Sequence, residues 1–462
     1  MAQRLSRRTF LRFGGIAAGA SALAACVAPT AAPAQPAAPA APAEEKPAEA
    51  APAAESQTTV EWWDAQTGVD EEITNKMIET FEGKNPDIKI NRTYIAQTQG
   101  TQANDKLLTA IAAGTPPDVF KFDRFIVAQF AAQGFLTDLT EFANRDGIKA
   151  DDYWDFAWEE ANYNGKLYAL PYDTDTRALW YNKDIFEEAG LDPEKPPQTL
   201  AELQEIADKL TVKGANDRIT RWGYIPTSDQ AWTYTYGFAF RGEFQDPATK
   251  KITCAHPQIV ESMKWLRDYS EHVGVQNLDD FVAACAGNVC NDQNDYFWTG
   301  QTAMTCSGDW RVSQQKRYKP DGHYGVTPFP GPDGPAPHAS WAGGWSWVVP
   351  AGAKNVDGGW RTVNWVCGPE GQDMFNKGTY HIPTNKKAAE DPYYREDPLH
   401  AVFMDLLPVS HTRPPIPAGS LLWDRLVASR DEIVHGKLDP EASLKAVDEV
   451  VNAELEKLGF FA

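Results

Sequence analysis

Val60-Glu61-Trp62-Trp63 reads as a short strand, and after it apolar residues return at helical spacing: Ile73, Met77, Ile78 and Phe81. Asn85-Pro86-Asp87 stops that helix, and Ile88-Lys89-Ile90 alternates as a second strand. Leu107, Leu108 and Ile111 mark another helix, ended by Gly114 and Pro116-Pro117, before Val119-Phe120 opens a third strand. Strand and helix taken in turn predict an α/β layer. Further helices are predicted around Leu200, Leu203, Ile206 and Leu210, then around Ile259, Met263, Trp265 and Leu266. The last runs through Leu444, Val447, Val451, Leu455 and Leu458. Asp333, between Gly331-Pro332 and Gly334-Pro335, belongs to a surface loop, and no internal repeat appears.

The chain has 462 residues, too many for one ordinary domain, so the pattern is expected to divide into two lobes. Its N-terminus stands apart. Ser6-Arg7-Arg8-Thr9-Phe10-Leu11-Arg12 resembles a twin-arginine export signal, the apolar stretch Phe13 to Ala25 follows, and Leu23-Ala24-Ala25-Cys26 resembles a bacterial lipobox. Residues 1–25 are therefore expected to be removed and Cys26 to carry lipid, a membrane anchor made by acyl chains alone. Residues 27–55 hold 14 Ala and 7 Pro, a composition that builds a semi-rigid tether and no core. The folded part is expected from about residue 58. Without the leader, 39 basic residues face 64 acidic ones, a net charge of −25 that excludes nucleic-acid binding as the default. No apolar run reaches the roughly 18 residues that span a bilayer.

Outside the cytoplasm disulfides are permitted. Cys285 and Cys290 lie close enough to close a small loop, while Cys254, Cys306 and Cys367 leave an odd number, so one thiol stays free or pairs elsewhere. The phosphate-cradling GxxxxGK[ST], the dinucleotide GxGxxG, HExxH and the GxSxG elbow are absent, and eight His show no paired spacing. No metal, no cofactor and no catalytic residue is expected. Tyr393-Tyr394 reads as surface packing, and Asn291 to Asp295 reads as a helix start, lacking the Gly and Glu of a calcium loop.

Gly114-Thr115-Pro116-Pro117-Asp118-Val119, Leu170-Pro171, Trp180-Tyr181-Asn182-Lys183-Asp184, Gly300-Gln301-Thr302-Ala303-Met304, Gly308-Asp309-Trp310, Gly343-Gly344-Trp345 and Ile382-Pro383-Thr384-Asn385 follow one another in that order. On these stretches the chain, from about Val60 onward, resembles extracellular solute-binding proteins of the carbohydrate class (family 1), which serve ABC importers. It implies a two-lobed α/β fold of the type II periplasmic-binding class, its lobes joined by a hinge. The chain would cross near Pro171-Tyr172, return near Tyr318 and cross again after about Gly368. Lobe 1 would then be residues 58–171 plus about 319–368, and lobe 2 residues 172–318 plus about 369–462. A monomer is implied, with a carbohydrate ligand and ABC permease subunits as partners.

Sixteen Trp interleaved with carboxylates suit a sugar, whose apolar faces stack on rings and whose hydroxyls need fixed donors and acceptors. Trp63 and Asp64 end the first strand, where open α/β sheets place ligands, although Trp63 would serve equally as core. Asp123 and Arg124 end the third, as ligand contacts or as a mutual ion pair. Trp232 and Tyr234 fall in an aromatic-rich segment that packing alone would also explain. The resemblance adds Tyr172, Asp173 and Asp175 at the first crossing, Asp175 as a sugar-binding carboxylate. It adds Asp309 and Trp310 at the second crossing with Trp310 stacked on the sugar, Gly344 and Trp345 opposite, and Trp423 as a late aromatic platform. A secreted glycosidase, or a binder of another polar solute such as a polyamine, stays open on the residues alone.

Overall fold

A computed structural model of the chain describes residues 57–96, 103–215, 218–285, 293–334 and 340–461. The leader, Cys26, the tether and the pairing of Cys285 with Cys290 lie outside the described residues.

The first strand, Thr58–Asp64, pairs in parallel with Ile88–Tyr94 on one side and with Val119–Asp123 on the other. Trp345–Val348, antiparallel to Val119–Asp123, and then Ala169–Pro171, antiparallel to Trp345–Val348 and so parallel to the first three, complete this five-stranded sheet. Its helix Gly68–Lys84 carries Asp70 and Glu71 in the first turn and Lys84 in the last, in accord with the helix dipole, and buries Thr74, Met77 and Phe81. A second five-stranded sheet runs in the order Tyr324–Pro328, Arg177–Asn182, Thr302–Gly308, Ile219–Tyr224 and Val212–Lys213. The terminal helix Pro440–Lys457 starts on a proline, with the Asp439 side chain accepting from the amides of Glu441 and Ala442, and buries Leu444, Val447, Val451 and Leu455. Each sheet has its own apolar core. Val60, Phe120, Trp347 and Phe375 belong to the first, and Leu179, Met304, Phe329 and Leu455 to the second.

The lobes are exchanged later in the chain than the sequence reading expects. Tyr324–Pro328 pairs with Arg177–Asn182, and Phe329 and Trp341 pack in the second core, so the chain returns at residues 342–344 and not near Tyr318. Pro369 opens the helix Pro369–Thr379, which lies against Gly68–Lys84 and buries Phe375 in the first core. The third crossing is thereby delayed to residues 380–384. The three crossings run side by side. Asp173 and Thr174 pair with Pro383 and Ile382, and Asp175 bridges to Gly343.

Two local expectations are corrected and two others are given their detail. Tyr394 is fully buried and is no surface residue. Asp295 opens a turn, accepting the Phe297 amide at 2.7 Å and pairing with Arg311 at 3.0 Å, so the described part of that stretch is not a helix start. The loop at Asp333 is a turn closed by the Gly331 amide on the Gly334 carbonyl at 2.9 Å. Cys254, Cys306 and Cys367 are free thiols, each buried.

Candidate functional site

Strands Thr58–Asp64 and Val119–Asp123 of one sheet, and Ile219–Tyr224 and Thr302–Gly308 of the other, end near the three crossings, where open sheets leave a crevice. Most of the site-candidate side chains lie at these ends.

Asp64 is almost fully buried and fixed. It accepts from the Trp62 indole and the Gln66 amide and pairs with Arg92 at 2.7 Å, while Arg92 also reaches Glu71 at 3.0 Å. Trp63, the next ring along, is half-buried. Asp70, in the first helical turn beyond it, was missed by the sequence reading. Its carboxyl is pushed up by burial, against His381 and Lys121, which favour the charged form. Lys121 was missed as well, although a lone lysine in Val119-Phe120-Lys121-Phe122 is a legible signal. Its ammonium stands 3.6 Å from the Asp173 carboxylate and 5.0 to 5.3 Å from the ring centres of Phe375, Trp345 and Tyr172. Asp173 in turn accepts the Trp345 amide at 2.8 Å, so Trp345, itself half-buried, is held by its backbone with its ring facing Lys121.

On the second lobe Asp309 and Trp310 follow the strand Thr302–Gly308 directly. They therefore sit at a strand end and not on a crossing. The Asp309 side chain is wholly buried. One carboxylate oxygen accepts the Trp310 amide at 2.9 Å, and the other has no hydrogen-bond partner. Burial pushes its pKa well up, with Arg177 opposing. The Trp310 indole is half-buried, stacked on His381 at 6.4 Å and 24° and lying 5.5 Å from the Arg177 guanidinium. His381, on the third crossing, is also new. It lies between Trp310 and Phe375, donates to or accepts from Thr379 at 2.9 Å, and is held toward the neutral form by burial.

Several candidates have other duties. Tyr172 is 1% exposed, packed against Trp347 and Phe375 in the first core, and Tyr234 is equally buried in the second, so neither ring faces a crevice. Asp123 and Arg124 do not pair with each other. Asp123 pairs with Arg413 at 2.6 Å, and Arg124 pairs with Glu160 at 3.0 Å, both members buried. Asp175 pairs with Arg177 and accepts the Gly343 amide at 2.8 Å. Gly344 has φ 134°, the left-handed side, and a side chain there would collide with Arg124 and the Asp173 carbonyl. Trp232 and Trp423 are half-buried, 5.1 Å apart, with Arg430 over Trp232 at 4.0 Å; Trp423 touches both cores. Among the described residues no group of acids, His and Cys is placed to hold a metal, and no helix is long and apolar enough to cross a membrane.

Two lobes that exchange the chain three times, with tryptophans and buried carboxylates at the facing strand ends, define a two-lobed solute-binding protein. The model of the bacterial extracellular solute-binding protein family matches residues 65–373, and the chain belongs to that family. It is similar, at 26% identity over 82% of this chain and 79% of the relative, to the maltotriose-binding protein of Pyrococcus abyssi. It is 26% identical to a maltooligosaccharide ABC transporter solute-binding lipoprotein of Streptococcus pneumoniae, over 73% of this chain and 76% of the relative. Among solved structures it resembles CpMnBP1 with mannobiose bound, with TM-score 0.75 and 27% identity over 86% of this chain and all of that one.

Proposed function

We propose that the protein binds a mono- or oligosaccharide outside the cytoplasm by closing its two lobes and passes it to the permease of an ABC importer, held at the membrane by lipid on Cys26. The carrying observation is the pair Asp309–Trp310, a buried carboxylate oxygen without a partner beside a half-exposed indole face. Buried acceptors require partners, and a sugar hydroxyl at the indole face would supply one. A hydrogen bond to that oxygen contributes about 0.5–1.5 kcal/mol and a stacked ring about 0.5–1.5. A few such contacts reach micromolar affinity, about −8 kcal/mol, after the cost of association. A relative that binds maltotriose, and neighbours solved with mannobiose or tagatose bound, support the sugar class.

The protein acts without turnover in this reading. A glycosidase needs two carboxyl groups free to exchange protons or attack; Asp64, Asp123, Asp173 and Asp175 are each held by a cation, and the two described above that are not, Asp70 and Asp309, belong to different lobes. Thermal shift across mannobiose, mannotriose, maltotriose and tagatose, with a polyamine as control, tests the proposal. A cognate sugar at 100 times its Kd adds about 2.7 kcal/mol of stability, and mass spectrometry of the mixture returns it intact. Stabilisation by the polyamine alone, or steady hydrolysis of the sugar, overturns it.

A further inference from the structure

The second crossing, residues 342–344, includes two adjacent glycines, and an arginine from each lobe closes on it. Arg124, at the end of strand Val119–Asp123, is wholly buried. It donates to the carbonyls of Asp173 on the first crossing and Gly343 on the second, while Glu160 holds its Nε at 3.0 Å. Thr174 supports the same Gly343 carbonyl, donating its hydroxyl at 2.8 Å. Arg177, at the start of strand Arg177–Asn182, pairs with Asp175, whose carboxylate accepts the Gly343 amide at 2.8 Å. It also donates to the side-chain oxygen of Gln230 at 3.2 Å and covers the Trp341 ring at 4.1 Å. At 344 the positive φ and the approach of the Asp173 carbonyl and Arg124 require glycine, and a side chain at 343 would press on the ends of Asp175 and Arg177. The guanidinium of Arg177 further stands over the Trp310 ring.

We propose that Arg124 and Arg177 are a two-sided clamp on Gly343-Gly344, positioning residues that set the lobe-to-lobe equilibrium without touching the solute. Arg124 ties two crossings to the first lobe. Arg177 ties the same backbone to the second lobe and to the indole on which the solute stacks. Rotation of the lobes changes the Gly343 and Gly344 dihedrals, so it must rearrange hydrogen bonds that a planar, forked guanidinium makes and a lysine ammonium cannot reproduce. Solute binding then draws on an equilibrium that these two arginines bias. The consequence for affinity rests on the sugar-binding reading; the consequence for the unliganded equilibrium does not.

The test uses the full mature chain with spin labels on cysteines introduced at Glu79 and Asp268, exposed positions on helices of the two lobes. Pulsed dipolar spectroscopy reads the lobe-to-lobe distance distribution without ligand, and calorimetry reads mannotriose affinity. Arg177→Lys and the milder Thr174→Val are expected to shift or broaden the unliganded distribution. Arg177→Lys is further expected to change mannotriose affinity five- to twentyfold. Thr174→Val removes one hydroxyl without adding volume, so a folded variant is secured even where Arg177→Lys destabilises. Variants that melt earlier but keep the parental distance distribution overturn the clamp and leave Arg177 and the Thr174 contact merely structural. A shifted distribution in a protein that ignores every sugar supports the clamp and refutes the sugar reading instead.

Discussion

Replacing Trp310 by alanine separates a binding role from a packing role. The indole folds back over Gly308, where a side chain would strike its ring, and meets His381 on one side and Arg177 on another. Truncation removes one ring stack, about 0.5–1.5 kcal/mol, and one partly solvated cation–π contact, about 0.5–1 kcal/mol. The expected loss of stability is therefore about 1–2.5 kcal/mol. A wholly buried ring such as Trp180 or Trp347 sets the contrast, at about 3–5 kcal/mol for the same change. Affinity is expected to fall by about 1.4–2.8 kcal/mol, about tenfold to a hundredfold, because the solute loses a stacking face and the apolar burial it gave. Calorimetric titration and urea unfolding of the same Trp310→Ala preparation give both quantities. Unfolding as severe as that of Trp347→Ala, or unchanged affinity for a sugar that binds the parent, refutes the assignment and moves it to Trp232 and Trp423.

Glu160→Gln leaves Arg124 buried without a counter-charge, and chemical denaturation is expected to show a loss of about 3–5 kcal/mol; a loss under 1 kcal/mol contradicts the ion pair's role. His381 is held below its ordinary pKa by burial, with Asp70 and Asp173 favouring its proton and Lys121 opposing it. The unfolded chain therefore takes up the proton first. Stability contributed by the neutral ring is full above about pH 6.5 and falls as the pH drops below that, by up to about 1.4 kcal/mol per unit. His381→Phe keeps a ring between Trp310 and Phe375 and should flatten the melting curve's pH dependence between pH 7 and 5.5. It does not abolish it, because buried His400 is shifted the same way; identical slopes in the two proteins count against the argument. Cys26→Ala should move the protein from the membrane to the soluble fraction, and an unchanged distribution in a fractionation blot disposes of the lipid anchor.

The elements were legible where one face of the chain is apolar. Met77 and Phe81 on the first helix, and Leu444, Val447, Val451 and Leu455 on the last, lie buried at the spacing that predicted them. The lobe exchange was less legible, because it depends on which core receives an apolar residue. Nothing local in Phe329, Trp341 or Phe375 says whether it packs in the first lobe or the second, and these three rings move two crossings later in the chain. The site was read in outline from carboxylates and tryptophans at strand ends. Partners were not, since Asp123 meets Arg413 across 290 residues and Arg124 meets Glu160 across 36. His381 carries no mark in the sequence, because a single imidazole has no spacing to betray it, whereas Lys121, a lone lysine in an apolar strand, is legible there. Tyr172 was placed at the crossing by resemblance, but its ring turns back into the first core.

Small-angle X-ray scattering of the mature protein, titrated with mannotriose and with maltotriose, measures lobe closure on a sugar most directly. One of them is expected to lower the radius of gyration saturably, with a midpoint equal to its calorimetric Kd. A radius that neither these nor any other saccharide alters, in a preparation that a non-sugar solute does compact, contradicts it.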